Sequence, residues 1–446
     1  MAIDFRIRDF FYPISILKLR SVLEQTQWMP LEELRAYQER KLASVLRQAY
    51  CHVPYYRETF QRLGLRPSDI RYIDDLKKLP LLGRETVRKR GASLRADNAR
   101  RFHPRIYKTS GTSGQSLEFC LDKGANTLEF VYYWRHWGWA GFRLGDPFAE
   151  LGSQYFLARK KLDNALYSWQ PYLRRLMLNG SQVSHDLVEG MARAIRRYRP
   201  KFLKGMASTL YYFALCLKEA GIDDLSFKAV FSTGETFMPQ YRTMVEGVFK
   251  GPVLDSYGHM ERTVAISQCL EGGYHINSDY GIMELDHAEA SAREKTIRGN
   301  VVGTSLYNLS MPFIRYDVGD HAEIFLDKRS CPCGRTLPLA KTIHGRREDT
   351  VVTPDGRFIT SMFLLPDLIE GIHFVQFIQE SKTRLCINLV PGEAWNGGKE
   401  GKLCLYTRKL VGPDMKIRIR SVTPGDLLRD APGKYRTVIS QVKASG

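Results

Sequence analysis

The sequence has few cysteines and lacks long apolar runs. Eight cysteines occur among 446 residues and most stand alone, whereas secreted disulfide-held proteins use cysteine densely and in pairs. No stretch of about 18 consecutive apolar residues is present, which excludes a membrane-spanning helix. Residues 1–6 include an acidic residue, Asp4, and do not begin the apolar segment of a signal peptide, so we expect no secretory signal. These absences predict a cytoplasmic protein.

The composition is that of a folded globular chain with an excess of positive charge. Hydrophobic residues make up 43% and charged residues 26%, which excludes disordered and collagen-like chains. The net charge of +18 is compatible with binding to nucleic acid or to acidic membranes, but equally with an enzyme that binds polyphosphates and anionic substrates. No RNA-binding, zinc-finger or helix-turn-helix pattern accompanies the charge, so we expect no nucleic-acid partner. The apolar, arginine-containing segment 5–17 allows a peripheral membrane contact, although packing against the rest of the protein is the simpler explanation.

The hydrophobic pattern predicts an α/β fold. Apolar residues recur with a period near 3.6 over residues 31–62, and residues 124–140 predict a long aromatic helix. Between 200 and 350, short β-type runs alternate with helical stretches, which indicates a mostly parallel sheet with helices. The predicted helices there are 208–220 and 238–249. After residue 280 we predict an antiparallel β portion, with strands at 281–285, 303–309 and 321–325.

A charged turn at residues 345–349 is the best candidate for a domain boundary. Beyond it, predicted strands at 384–390 and 416–422 flank a helix near 399–411. We therefore predict a large N-terminal domain of mixed sheets and helices, residues 1–348, and a small mobile α+β C-terminal domain, residues 349–446.

Residues 109–114 are rich in hydroxyls and glycines, the composition of a phosphate-binding loop. Glycines let the backbone approach a ligand closely, and backbone N–H groups with hydroxyls then surround phosphate oxygens. The loop is not a Walker loop, because the Gly-Lys-Ser/Thr ending is missing; a flexible surface turn is the alternative. Its residues are Thr109, Ser110, Gly111, Thr112, Ser113 and Gly114.

Five further motifs follow this loop in a fixed order. They are Ser232-Thr233-Gly234-Glu235, Ser256-Tyr257-Gly258-His259-Met260-Glu261, Arg315-Tyr316-Asp317-Val318-Gly319-Asp320, Gly345-Arg346 and Pro432-Gly433-Lys434. The series resembles the adenylate-forming (ANL) superfamily, and the chain looks most like its phenylacetate–coenzyme A ligase and CapK-type branch. The resemblance runs nearly from end to end.

The resemblance implies a role for each motif. The loop 109–114 would hold the β- and γ-phosphates of ATP, Glu261 would bind Mg²⁺, and Asp349 would be the hinge between the domains. Lys434 would stand where a carboxylate meets the α-phosphate, because two anions need a cation between them. Asp320 would accept hydrogen bonds from the ribose, and Arg346 would support the ribose and reach a phosphate. The adenine side would be formed by Gly234, Glu235, Ser256, Tyr257, Gly258 and His259.

The sequence departs from the family at Met260. The position before the Mg²⁺-binding acid is usually threonine, whose hydroxyl contacts the α-phosphate, and methionine has no such donor. Loss of one hydrogen bond to a charged oxygen costs about 1.5–3 kcal/mol unless another group replaces it. His259 is the candidate replacement.

Three cysteines and a histidine form a candidate zinc site. Cys269 and His275 are separated by five residues, and Cys331-Pro-Cys333 follows 55 residues later. Such a set suits tetrahedral Zn²⁺ in a closed structural site, and members of the resembled branch carry similar sets. Reduced thiols in a turn are the alternative.

The acyl pocket leaves a weaker signal. The aromatic helix offers Tyr133 and Trp134, and Gly205 and Ala207 follow a predicted strand where small residues leave room for an acyl group. Aromatic residues at helical spacing are as readily explained by the core.

The resemblance implies a ligase that activates a carboxylic acid with ATP as an acyl-adenylate and releases pyrophosphate. The acyl group would pass to a thiol of coenzyme A or a carrier protein, within a polysaccharide or secondary-metabolite pathway. Two alternatives stay open: a nucleotidyl transferase that places AMP on a hydroxyl of a cofactor or sugar, and a non-catalytic nucleotide-binding scaffold. The acid, the acceptor and the oligomeric state are not specified by the sequence.

Overall fold

The computed structural model describes residues 13–108, 117–152, 165–180, 183–235, 237–327, 329–346, 351–354, 358–359, 362, 369, 371–429 and 435–442. Their helices and strands confirm the predicted α/β class with a large N-terminal and a small C-terminal unit.

The helices of the described residues lie close to the predicted positions. The helical region predicted at 31–62 is divided into two helices at Pro54. Proline fits the first turn of the second helix but would not fit a helix interior. In the aromatic helix, the Asp122 side chain caps the first turn by accepting from the Ala125 N–H at 2.9 Å. The helices are α1 (Pro13–Thr26), α2 (Leu31–His52), α3 (Pro54–Leu63), α4 (Arg84–Leu94), α5 (Lys123–Gly138), α6 (Val188–Tyr198), α7 (Ala207–Glu219), α8 (Pro239–Phe249) and α9 (Gly397–Val411).

The strands of the described residues form two larger sheets and two hairpin-like pairs. They are β1 (Arg105–Lys108), β2 (Glu118–Leu121), β3 (Phe148–Leu151), β4 (Tyr167–Gln170), β5 (Arg175–Leu178), β6 (Phe202–Gly205), β7 (Ala229–Thr233), β8 (Val253–Gly258), β9 (Ala265–Gln268), β10 (Tyr274–Ile276), β11 (Gly281–Ser291), β12 (Thr296–Ser305), β13 (Tyr316–Phe325), β14 (Leu339–Arg346), β15 (Val351–Val352), β16 (Phe358–Ile359), β17 (Ile372–Ser381), β18 (Arg384–Pro391), β19 (Lys416–Ser421) and β20 (Val438–Ser440).

The large unit is organised around one mixed sheet. Within the described residues its strand order is β11-β12-β13-β14-β10-β9-β8-β7-β6-β3-β5-β4. The run β5-β3-β6-β7-β8 is parallel, and its strands are almost wholly buried because helices cover a parallel sheet. From β8 to β11 the pairing is antiparallel, as predicted for the part after residue 280.

The small unit is a four-stranded sheet, β19-β18-β17-β20, with α9 packed against it. Both faces of β17 and β18 are largely buried, and the buried residues include the polar side chains of Gln376, Gln379 and Asn388. Beside this sheet, β15 pairs with β16. The exact domain boundary at 348/349 lies outside the described residues, so it stays a prediction.

The predicted strand at 303–309 is wrong in its second half. β12 ends at Ser305, because the Ser305 side chain accepts from the Asn308 N–H and begins a turn. The Asn308 side chain then donates to the carbonyls of Cys120 and Met311 at 2.9 and 2.8 Å. Local polar contacts of this kind compete with a continuing ladder.

A buried ion pair ties α1 to the large unit. Arg135 of α5 donates to the carboxylate of Asp279 and to the Leu23 carbonyl, and Thr26 donates to the same carboxylate. The Arg135 and Asp279 side chains are 1% and 0% exposed, so each charge is compensated by the other. Within segment 5–17 the structure describes residues 13–17, of which Ile16 packs against the core and Leu17 is 60% exposed; residues 5–12 lie outside the described residues. Among the helices described, none is long and apolar enough to cross a membrane.

Candidate active site and cysteine–histidine cluster

The carboxyl ends of β7 and β8 lie side by side where the sheet changes from parallel to antiparallel. β7 pairs with β8 in parallel, and β8 pairs with β9 antiparallel; α/β proteins bind ligands at the carboxyl ends of strands next to such a change. Gly234 follows β7 with a φ of 88°, a conformation that favours glycine. The Ser256 hydroxyl donates to the Ser232 carbonyl at 2.9 Å. Two of the motifs therefore meet at one edge of the sheet.

Tyr257 and Asp320 are in direct contact. The Tyr257 hydroxyl donates to Asp320 Oδ2 at 2.6 Å across 63 residues of sequence, and Asp320 is 7% exposed on β13. The backbone of Arg346 is the register partner of Asp320 on β14, while its side chain lies outside the described part of the chain. The structure thus brings a third motif to the same place.

Glu261 lies beside these residues as a buried carboxylate. The Tyr316 hydroxyl donates to Oε1 at 2.7 Å, and His259 Nδ1 is 3.0 Å from Oε2. Burial by itself would raise the pKa of Glu261, but the hydrogen bonds from His259 and Tyr316 outweigh it and lower the pKa to about 2. Glu261 is therefore an anion at neutral pH, although it is only 5% exposed.

His259 orients this carboxylate. Its Nε2 lies 3.3 Å from the Val264 N–H and 3.0 Å from the Thr263 hydroxyl. Because a backbone N–H can only donate, this geometry assigns the proton to Nδ1, which donates to Glu261. Both ring nitrogens are then engaged within the protein. The arrangement leaves no His259 N–H for a phosphate and does not support the histidine as a substitute for the missing threonine.

Glycines in the sheet allow the loop of Glu261 to pack closely. A Cβ on Gly303 would lie 1.8 Å from Thr263 Oγ1, and one on Gly281 would lie 1.8 Å from the Thr263 carbonyl oxygen. Any larger residue would displace Thr263, and with it the ring of His259. Sequence inspection missed Gly281, Gly303, Thr263 and Tyr316 as supports of the site, although Tyr316 stands inside a motif that was recognised.

The side chain of Glu235 makes two contacts that its predicted role on the adenine side did not include. Its Oε2 accepts from the Ser208 N–H at 2.8 Å, and its Oε1 accepts from the Tyr435 N–H at 2.9 Å. The carboxylate thus bridges the N-terminus of α7 and the small unit.

The predicted acyl-pocket residues are not gathered around one cavity. Trp134 lines a cavity with Phe130, Trp137 and Phe142 between α5 and the sheet. The Tyr133 hydroxyl lies 3.2 Å from Thr233 Oγ1, at the end of β7. Beside Gly205, the expected room for an acyl group is filled, because a Cβ there would lie 2.9 Å from Leu210 Cγ. Ala207 is fully buried.

Other predicted residues cannot be placed. The predicted phosphate loop at residues 109–114 lies outside the described residues, and so do Asp349 and Lys434. Residues 429 and 435 are described on either side of the lysine turn and pair with each other as an antiparallel bridge.

Cys269, His275, Cys331 and Cys333 converge as predicted. Their ligand atoms all lie within 4.8 Å of one another, with 3.6 Å between the sulfurs of Cys269 and Cys331 and 3.2 Å between Cys333 Sγ and His275 Nε2. In a tetrahedral zinc site with Zn–S bonds near 2.3 Å, ligand atoms are separated by roughly 3.5–3.8 Å. The four donors therefore fit zinc in number, chemistry and spacing.

His275 of this cluster is oriented as a metal ligand, whereas a metal would have to displace the proton of Cys269. His275 Nδ1 lies 3.4 Å from the Leu337 carbonyl, which leaves Nε2 directed at the sulfurs. Burial raises the pKa of Cys269 to about 12 and lowers the pKa of His275 to about 4. A metal would therefore displace the thiol proton and find the imidazole already neutral. A Cβ on Gly273 would lie 2.8 Å from Cys331 Sγ, so glycine is required beside the cluster.

Comparison with known proteins identifies the class of this fold. A solved 2-hydroxyisobutyryl-CoA ligase in its postadenylation state matches 94% of this chain and 92% of its own, with a TM-score of 0.72 and 18% identity. In its thioesterification state the ligase matches 94% of this chain and 91% of its own, with a TM-score of 0.59. The chain shares the fold of this ligase.

Curated relatives give the branch. A phenylacetate-coenzyme A ligase of Thermus thermophilus is 25% identical over 346 residues, 74% of each chain. The protein CapK of Staphylococcus aureus is 21% identical over 348 residues, 75% of this chain and 74% of its own. No protein-family model matches the chain. The matches confirm the resemblance to the adenylate-forming superfamily and to its phenylacetate–coenzyme A ligase and CapK-type branch.

Proposed function

We propose that the protein is an ATP-dependent acid–thiol ligase. It activates a carboxylic acid as an acyl-adenylate, releases pyrophosphate and transfers the acyl group to a thiol, for which coenzyme A is the first candidate. The observation that carries the proposal is the convergence of Tyr257, Asp320 and Glu261 at the carboxyl end of β8 in a chain with this fold.

The arrangement suits a reaction between two anions. A carboxylate that attacks the α-phosphorus of ATP approaches a negatively charged group, so the site must supply oriented donors and cations. Tyr257 and Asp320 would hold the nucleoside, the Asp320 carboxylate accepting from ribose hydroxyls. Lys434 would supply the cation between the reacting groups.

Glu261 fits the role of a magnesium ligand. Each of its oxygens accepts one hydrogen bond from the protein, which leaves acceptor capacity on both. Mg²⁺ prefers one or two carboxylates together with phosphate oxygens, and when bound it would neutralise phosphate charge. Tyr316 and His259 keep the carboxylate ionised and aimed for that purpose.

The cysteine–histidine cluster would hold a structural zinc ion. It joins the turn after β9, strand β10 and the loop before β14. Zinc there would fix the antiparallel part of the sheet that carries Asp320 and Arg346, and would take no part in the reaction.

The relatives that are named coenzyme A ligases support a coenzyme A acceptor and, with it, a cytoplasmic location. A carrier protein is the alternative thiol. Met260 favours keeping the non-catalytic scaffold in the test, since the missing hydroxyl would have contacted the α-phosphate, and a second reaction class stays open as well. In that class the protein would transfer AMP to a hydroxyl.

The proposal is tested by trapping acyl-adenylates with hydroxylamine across aryl, fatty, hydroxy and amino acids, together with ATP–pyrophosphate exchange. We expect exchange that depends on one class of acid, followed by thioester formation with coenzyme A. A stable AMP ester on an alcohol would refute the ligase and support the nucleotidyl transferase. ATP binding without turnover of any kind would support the non-catalytic scaffold.

The contact between Tyr257 and Asp320 leads to a mutational prediction. Tyr257→Phe removes a hydrogen bond to a carboxylate, so Asp320 is no longer held beside the ribose position. We expect the KM for ATP to rise about tenfold, the scale of one hydrogen bond to a charged group. Tyr37→Phe is the control, since it removes a hydroxyl contact with Tyr307 elsewhere. Equal KM values in the two variants would contradict the assignment of Asp320.

The proposed hinge leads to a second prediction. Adenylation and thioester formation need different groups beside the same carboxyl carbon, so the small domain must rotate, and hinges occupy a few residues at element ends. Asp349→Pro fixes φ and should trap one arrangement. We expect one half-reaction to be preserved and the other to slow by orders of magnitude. If stopped-flow measurements show both halves unchanged, the hinge lies elsewhere or only one step is performed.

A further inference from the structure

The carboxylate of Glu235 joins two parts of the protein that are far apart in sequence. Ser208, whose N–H binds Oε2, is the second residue of α7, where a carboxylate also benefits from the helix dipole. Tyr435, whose N–H binds Oε1, lies 200 residues further along the chain in the small unit. The hydrogen bond from Ser208 orients the carboxylate, and the hydrogen bond from Tyr435 connects the carboxylate to the small unit.

Tyr435 is the residue that follows Lys434. Arg429 and Tyr435 pair with each other as an antiparallel bridge. Gln376, which is fully buried, donates to the carbonyls of Leu428 and Arg436 at 2.8 and 2.9 Å and accepts from the Leu428 N–H. Lys434 directly precedes Tyr435 in the sequence, so a contact at the Tyr435 amide bears on the proposed catalytic lysine.

The remaining contacts of this interface are mostly aromatic. The Tyr435 ring meets Phe374 edge-on at 5.6 Å, and Phe374 meets Tyr211 of α7 at 5.3 Å. The Tyr435 hydroxyl donates to the Val375 carbonyl. The hydrogen bond between the Tyr211 hydroxyl and His373 Nδ1 at 2.8 Å joins α7 to β17, and apolar contacts are not directional, so neither fixes Tyr435. The charged hydrogen bond at Glu235 has both strength and direction.

We infer that Glu235 is a positioning residue that holds Tyr435, and with it the small unit, against the large unit during adenylation. Release of its bond to Tyr435 then accompanies rotation of the small unit for thioester formation. The inference rests on the proposed ligase function for its kinetic consequence, but the contact itself is independent of the acid used. It assigns the carboxylate of Glu235 to Tyr435 in place of the adenine.

The test compares Glu235→Ala and Glu235→Gln with the wild type in the two half-reactions. We expect Glu235→Ala to lower the kcat of ATP–pyrophosphate exchange about 10- to 100-fold, with thioester formation from supplied acyl-adenylate changed less than about twofold. Glu235→Gln keeps one acceptor oxygen and should fall between the two. The control is Glu189→Ala, which removes a surface carboxylate paired with Arg196 in the same unit.

Small-angle X-ray scattering of the same proteins without substrates measures the domain arrangement directly. We expect a larger radius of gyration for Glu235→Ala than for the wild type and for Glu189→Ala. Exchange within about twofold of wild type, or equal losses in both half-reactions, would overturn the inference. If the wild type activates no acid, the ligase proposal fails, and unchanged scattering of Glu235→Ala would then overturn the positioning role by itself.

Discussion

Lys434→Ala should abolish acyl-adenylate formation while leaving the protein folded. The lysine would place a compact ammonium where the carboxylate oxygen and the α-phosphate approach. Loss of a group that stabilises developing charge in the transition state costs about 10²- to 10³-fold or more in rate. ATP–pyrophosphate exchange measures this step. Since the ammonium acts on the transition state, the KM for ATP should change little by comparison.

The same variant should still form thioester from supplied acyl-adenylate, because the lysine turn leaves the site in that step. Lys416→Ala removes an exposed lysine from β19 of the same small unit and serves as the control. The loss in Lys434→Ala should also exceed that in Glu235→Ala, which misplaces the lysine without removing it. Exchange at the wild-type rate in Lys434→Ala would refute the assignment of the catalytic lysine.

The second large effect is expected at the cysteine–histidine cluster. Purified protein should contain one tightly bound zinc ion per chain, and Cys331→Ser should lose both the zinc and much of the thermal stability of the large unit. The reason is that the four donors come from three segments of the β portion, so the metal joins them only in the folded state and its binding energy stabilises that state. Metal analysis and thermal unfolding measure the two effects.

A buried cysteine away from the cluster separates loss of metal from loss of packing. Cys216→Ser replaces a fully buried thiol in α7, and it should lower stability with the zinc content unchanged. Nucleotide binding by Cys331→Ser should persist at temperatures where the variant is folded. Wild-type protein without zinc, or equal stability of Cys331→Ser and the wild type, would contradict a structural zinc site.

The sequence predicts the fold well where the signal is local. The aromatic helix predicted at 124–140 is observed at Lys123–Gly138, and the α/β alternation gives the parallel part of the sheet, because side-chain periodicity reports directly on local structure. The strand predicted at 303–309 is wrong beyond Ser305, since the side chain of Asn308 diverts the backbone. That contact is with Cys120, which is distant in sequence, and the periodicity of a local segment does not report on distant contacts.

The candidate site is predictable only where a motif marks it. Tyr257, Asp320 and Glu261 stand in recognisable motifs, but the hydrogen bonds that join them depend on the register of β13 against β14 and β12. Glu235 shows the same limit, because its partner is 200 residues away and is a backbone N–H, which every residue except proline possesses. The convergence of the four cysteine and histidine side chains was predictable because cysteine is rare in this chain.

The ion pair between Arg135 and Asp279 constrains how the protein can be made. Thr26 of α1 and Asp279 are 253 residues apart, so at about 5–20 residues per second the ribosome needs roughly 13–50 s to synthesise the chain between them. During that interval α1 has emerged but its acidic partner does not exist, and Arg135 has no counter-charge in the core. The N-terminal helix can therefore complete its polar contacts only late in translation, although α5, on which it packs, is synthesised much earlier.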